Sequence, residues 1–195
     1  MQYSESFKNA FITAYTECCR SFDDEARRRD YRFDWNRFML WDPEPPLGKP
    51  VLELTAEKME LRYWKREPFR FDGAFIQPAH RLVQDYPIPM IAVFEHEDKI
   101  GGFEEEVVKL CQIRCPLKIG ITYCQPESQS QWEGQILGWV RDVLQQLEEH
   151  TKEDPESEYV FLLGAHAKPF GADWYHLTFP AASGPGTFQA LRPPQ

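Results

Sequence analysis

The strongest constraint on this chain is a repeated alternation of short, unbroken apolar runs with helical stretches. Residues 90–94 read Met-Ile-Ala-Val-Phe, residues 118–123 read KIGITY and residues 158–165 read EYVFLLGA. Runs of this length and composition fit strands buried on both faces. Between the first two, a helix is expected after Gly101-Gly102, ending near Ile113, with Phe103, Val107, Leu110, Cys111 and Arg114 inward. Between the second and third, Ser130-Gln131-Trp132-Glu133 has the form of a capping box. It opens a helix over 131–149 with Trp132, Ile136, Trp139, Val140, Val143 and Leu147 inward. Buried strands joined through helices imply parallel pairing and right-handed crossovers. Residues 173–179 (DWYHLTF) add a further strand.

The N-terminal part reads differently. Phe7, Phe11, Ile12, Tyr15, Cys18 and Cys19 recur at helical spacing over 4–20, with Ser4 as the expected N-cap. Acids at Asp23, Asp24 and Glu25 followed by Arg27, Arg28 and Arg29 suit a short second helix through its dipole. Four prolines within 42–50 rule out regular structure there and read as a stiff connector. Residues 51–64 and 68–76 are expected as two strands, the second ending near the turn-forming pair Asp72-Gly73. The expected fold class is therefore α/β, a mixed sheet flanked by helices. A single domain is expected over 1–180: a helical part at 1–41, the connector at 42–50 and the sheet core at 51–180. Residues 181–195, rich in Gly and Pro, are expected to form a flexible tail.

Composition narrows the function. With 195 residues, 42% of them hydrophobic, the chain can bury a substantial core. Its net charge of −9 argues against binding nucleic acid through bulk electrostatics alone. The charge is uneven: residues 1–70 balance, and the whole excess falls in 71–195. The first residues lack a basic and apolar leader, the five cysteines make an odd count and no apolar run is long enough to span a membrane. The expected setting is a reducing cytoplasm, with free thiols and no membrane partner.

Three acids carry the candidate chemistry. Glu95 and Glu97 lie one residue apart at the end of the first buried run, and so project from one side of the strand. Charge there needs compensation by a metal, a proton or a basic side chain. Asp72 lies at the turn of a preceding strand. Carboxylates from two strands match the hard oxygen ligands of Mg²⁺, and the backbone carbonyl of His96 can add another. The same residues also suit blander roles, Asp72 in an ordinary Asp-Gly turn and the two glutamates at a solvated strand end.

In Phe71-Asp72-Gly73, then Phe94-Glu95-His96-Glu97, then a helix and a strand, the chain resembles the PD-(D/E)xK nuclease superfamily, the restriction-endonuclease-like fold. The likeness covers roughly residues 4–124 and includes the initial helix. It departs in holding Phe71 where the pattern has Pro, and Glu97 where it has Lys. Some branches place Glu at that position and others move the Lys to the following helix, where Lys109 stands. The resemblance implies a restriction-endonuclease-like core with the later helix and strands added. It also implies a Mg²⁺- or Mn²⁺-dependent nuclease acting on nucleic acid, with DNA the expected substrate. Its catalytic residues would be Asp72, Glu95, Glu97 and Lys109, and its metal ligands Asp72, Glu95 and His96. The alternative it leaves open is a catalytically inactive nuclease-like domain that engages a protein partner or forms a homodimer.

Other features are weaker. Arg27, Arg28, Arg29, Arg32 and Arg37, interleaved with Tyr31, Phe33 and Trp35, suit nucleic-acid contact, or a surface salt-bridged to the neighbouring acids. Glu104-Glu105-Glu106 reads as a solvated first helical turn. Cys111, Cys115 and Cys124 lack paired zinc spacing and read as core thiols. His166 and His176 read as structural. No Ser-His-Asp order, phosphate loop or dinucleotide fingerprint is present.

Overall fold

The structure is a computed structural model. It describes residues 3–20, 38–40, 48–65, 71–79, 89–97, 103–124, 138, 156–165, 173–179 and 189–192. The helix expected at 21–29, the arginine cluster and, apart from Gly138, the helix expected at 131–149 lie outside the described residues. The fold is α/β with mixed strand pairing. The chain divides into two compact units, residues 1–91 with 192–195, and residues 92–191.

In the first unit, α1 (Tyr3–Arg20) buries Phe7, Phe11, Ile12, Tyr15 and Cys18, the face that the periodicity predicts. Ser4 lies inside the helix and is buried, so it does not cap the end. The ring of Phe7 is 6.3 Å from that of Phe75, which ties the helix to the strand that carries Phe75. Burial pushes the Cys18 thiol up to about 12, with help from the neighbouring Cys19 and Glu17 and against Lys58. A thiol so placed is an inert core group.

Residues 51–58, expected as strand, are helical: α2 (Val51–Lys58) follows Pro50 directly. Leu52 and Leu54 imitate strand alternation, but the buried residues are Val51, Leu52, Thr55 and Ala56, one face of a helix. Lys58 pairs with Glu17 of α1 at 2.8 Å. The helix closes in a Schellman arrangement: Leu61 N donates to the Ala56 carbonyl at 2.8 Å and Glu60 N to that of Glu57 at 2.9 Å. That closure puts Glu60 at φ 57°, in the left-handed region. The strand signal belongs to β1 (Arg62–Trp64), antiparallel to β2 (Gly73–Ile76), with Tyr63 opposite Phe75. Tyr63 Oη donates to the Leu40 carbonyl at 2.8 Å.

The second unit takes β3 (Met90–Glu97) from Ala92 onward, then α3 (Phe103–Cys111), β4 (Leu117–Cys124), β5 (Glu158–Ala165), β6 (Asp173–Phe179) and β7 (Gln189–Leu191). β3, β4 and β5 pair in parallel, as the buried runs imply. β6 and β7 then add antiparallel. Residues 189–191, expected to be part of a flexible tail, instead pair with Trp174–His176. A backbone ladder can hold this Gln-Ala-Leu segment despite its weak apolar signal.

In-register neighbours share a face, so β3 to β5 present two distinct surfaces. One carries Glu95, Gly120 and Phe161 and is covered by α3. A Cβ on Gly120 would stand 2.4 Å from the Phe103 ring and 2.8 Å from Phe161, so only glycine lets α3 approach this closely. The other carries His96, Tyr123, Gly164 and Trp174, whose aromatic rings pack edge to face.

Two substitutions check this description. Glu60→Gly is expected to stabilise the fold by about 0.5–1 kcal/mol, since glycine enters the left-handed region without the Cβ clash. Gly120→Ala is expected to destabilise it by about 1–3 kcal/mol through overpacking. Chemical denaturation of both variants against the parent measures each sign.

Candidate functional site

Glu95 has a hydrophobic strand below it and a helix over it, and its side chain is only 2% exposed. An isolated carboxylate in such a place would be costly. The compensating charge comes from α3. Lys109 Nζ lies 3.4 Å from Glu95 Oε1 and donates to Glu106 Oε2 at 2.5 Å. The Lys109 side chain is 43% exposed, so one ammonium links a buried acid to the solvent side of the helix. Burial pulls its pKa down as the largest single influence. The hydrogen bond to Glu106 and the charges of Glu95 and Glu106 together outweigh burial and leave it raised.

Helix geometry explains why these groups meet. Glu106 and Lys109 are three apart and share a face, while Val107 and Leu110 point to the core. Glu106, expected in a solvated turn, is only 16% exposed and serves to hold Lys109. The i, i+3 spacing signalled that pair in the sequence; the acid run around it hid the signal.

The predicted site residues separate into groups. Glu95 and Lys109 come together, and Glu97 is on the same strand face as Glu95, half-buried at the strand end. The His96 ring turns to the opposite face, where Nε2 and Tyr123 Oη share a hydrogen bond of 2.7 Å. Any ligand role for His96 therefore rests on its backbone carbonyl. Asp72 is half-buried, immediately ahead of β2 in the first unit. Among the described residues, no three His, Cys, Asp or Glu side chains form a metal-binding group.

Two residues without a sequence signal complete this face. Lys118, fully buried on β4, donates to Tyr159 Oη at 2.9 Å and lies 4.7 Å from the centre of that ring. Burial raises the pKa of the nearby Cys111 thiol, while the Lys118 charge and a hydrogen bond with Tyr159 oppose it. Thr122, also fully buried, is in register with Glu97. Cys18, Cys19, Cys111 and Cys115 are free thiols, and no described helix is long and apolar enough to cross a membrane. Comparison with protein-family models gives no match, and comparison with curated proteins gives none either.

Removing the Lys109 charge strands a buried acid. Lys109→Met is expected to destabilise the protein by about 1–3 kcal/mol, below the cost of breaking a fully buried pair because the lysine is partly exposed. Adding Glu95→Gln should recover much of this loss in a double-mutant cycle. The raised Lys109 pKa has a defined sign: its stabilisation is complete below pH 10.5 and disappears as pH rises through the higher folded-state value. Thermal unfolding at pH 9 and pH 11.5 should show a Lys109-dependent difference between the two.

Proposed function

We propose that this chain is a divalent-metal-dependent nuclease hydrolysing phosphodiester bonds, with DNA as its substrate, on a restriction-endonuclease-like core. The observation that carries this reading is the Lys109 ammonium at Glu95: a lysine from the helix after the acidic strand, facing the acid and not the solvent alone. It is the placement that the resemblance allows when Glu97 occupies the lysine position on the strand.

The donor set suits Mg²⁺ or Mn²⁺. Such ions take hard oxygen ligands and retain several waters, so they need few protein carboxylates. The resemblance assigns the ion to Asp72, Glu95 and the His96 carbonyl, of which Glu95 and His96 are neighbours on β3. A bound divalent ion supplies charge stabilisation at phosphate oxygens and acidifies water. The remaining work belongs to the chain's side chains. Glu97, half-buried at the strand end, accepts a proton from the attacking water. Lys109 offsets negative charge at the reacting phosphate, held in place by Glu106. The apolar floor of Val93 and Phe103 keeps bulk water from the base of Glu95.

One observation favours a second reading, the catalytically inactive domain that engages a protein partner. Glu95 already has its counter-charge in Lys109, so the fold is electrostatically complete there without an ion.

Thermal stability with and without Mn²⁺ separates the two. At an ion concentration about ten times Kd, the active protein is expected to gain roughly 3–6 °C in Tm. Asp72→Ala and Glu95→Ala should each abolish the gain and lower cleavage of supercoiled plasmid at least about a hundredfold. A gain in Tm with no cleavage of any DNA or RNA form selects the inactive domain. Neither a gain nor cleavage removes the metal site altogether.

A further inference from the structure

We infer that the Thr122 hydroxyl belongs to this site and donates a hydrogen bond to a non-bridging oxygen of the scissile phosphodiester; this rests on the nuclease reading above. Thr122 is fully buried, and its Oγ1 has no hydrogen-bond partner among the described residues. A buried hydroxyl with nothing to bond is a net loss to the fold, and valine fills the same volume without that loss. Threonine here is therefore not explained by packing.

Its position supplies the explanation. Thr122 is in register with Glu97 on the neighbouring parallel strand, and such strands stand about 4.8 Å apart. Two residues back along each strand, Glu95 is in register with Gly120. Thr122, Glu95 and Glu97 thus share one face, toward the carboxyl ends of two parallel strands. Ligands collect at that end of open α/β sheets.

The chemistry of the ligand then selects the role. Phosphodiester oxygens only accept hydrogen bonds, and carboxylates repel them. Among the described residues, the side-chain donors at this face are Lys118, Tyr159, Lys109 and Thr122, and the Tyr159 hydroxyl is already engaged with Lys118 and Cys111. Lys118 donates to Tyr159 Oη, and Lys109 is held between Glu95 and Glu106. Thr122 places a neutral donor beside Glu97, the carboxylate that has to work next to an anionic substrate. A donor held in a water-poor position costs no reorganisation when charge develops on the phosphate oxygen.

Thr122→Val and Thr122→Ser in the full chain test this. Without ligand, Thr122→Val is expected to melt at or above the parent temperature. It should also keep the parent's Mn²⁺-dependent rise in Tm, because the hydroxyl is not a metal ligand. Its kcat for Mn²⁺-dependent cleavage of supercoiled plasmid should fall about tenfold or more, the loss of one hydrogen bond to a charged group. Thr122→Ser, which keeps the donor, should stay within about threefold of the parent. A Thr122→Val protein that melts several degrees lower would show that the hydroxyl has a structural partner, and the inference would fall. Parental cleavage by Thr122→Val, with the parent active, overturns the inference alone. A parent protein with neither the Mn²⁺ response nor cleavage overturns the nuclease reading and this inference together.

Discussion

A strand covered on both faces leaves no side chain for water, and β4 is such a strand. From Leu117 to Tyr123 every residue is buried. The covering depends on one missing atom. Gly120 has no Cβ, so Phe103 can lie against the sheet beside Phe161 and seat the first turn of α3. Once α3 is seated, the adjacent position on β3, Glu95, is enclosed as well. The electrostatic problem at Glu95 thus follows from a packing solution one strand away, and Lys109 answers it from the helix that created it.

Around His96 the opposite surface of the sheet is aromatic. His96, Tyr123 and Trp174 meet edge to face, and His96 Nε2 and Tyr123 Oη share a hydrogen bond. Alternation along a single strand therefore sends Glu95 and His96 into unlike environments, one ionic and one aromatic. Reading Glu95-His96-Glu97 as one motif joins residues that the pleat separates.

Much of the fold was legible in the sequence where the signal was both long and one-sided. The inner face of α1, the parallel pairing of β3, β4 and β5, and the placement of α3 all follow from uninterrupted apolar runs or a clear 3.6-residue period. α2 was not legible, because in a segment this short two leucines two apart look the same on a strand as on a helix; burial of Val51, Leu52, Thr55 and Ala56 distinguishes them only in three dimensions. β7 was hidden because its ladder is made by backbone, which the sequence does not display. In the candidate site, the acids announced themselves, and Lys109 was identifiable as a residue at the edge of the helix stripe. Its direction was not, since a lysine at a stripe edge reaches either way. Thr122 gave no signal, because an unsatisfied hydroxyl is a property of the neighbours it lacks.

That the cation is carried by a helix has a consequence of its own. A lysine on β3 would be locked to the hydrogen-bonded register of the sheet, and could change position only with the strand. Lys109 sits near the last turn of α3, at the far end from the Phe103 anchor, on a stem of four flexible bonds. It can leave Glu95 by rotating that stem while every strand pairing stays intact. The charge at the buried acid is therefore adjustable independently of the scaffold that buries it.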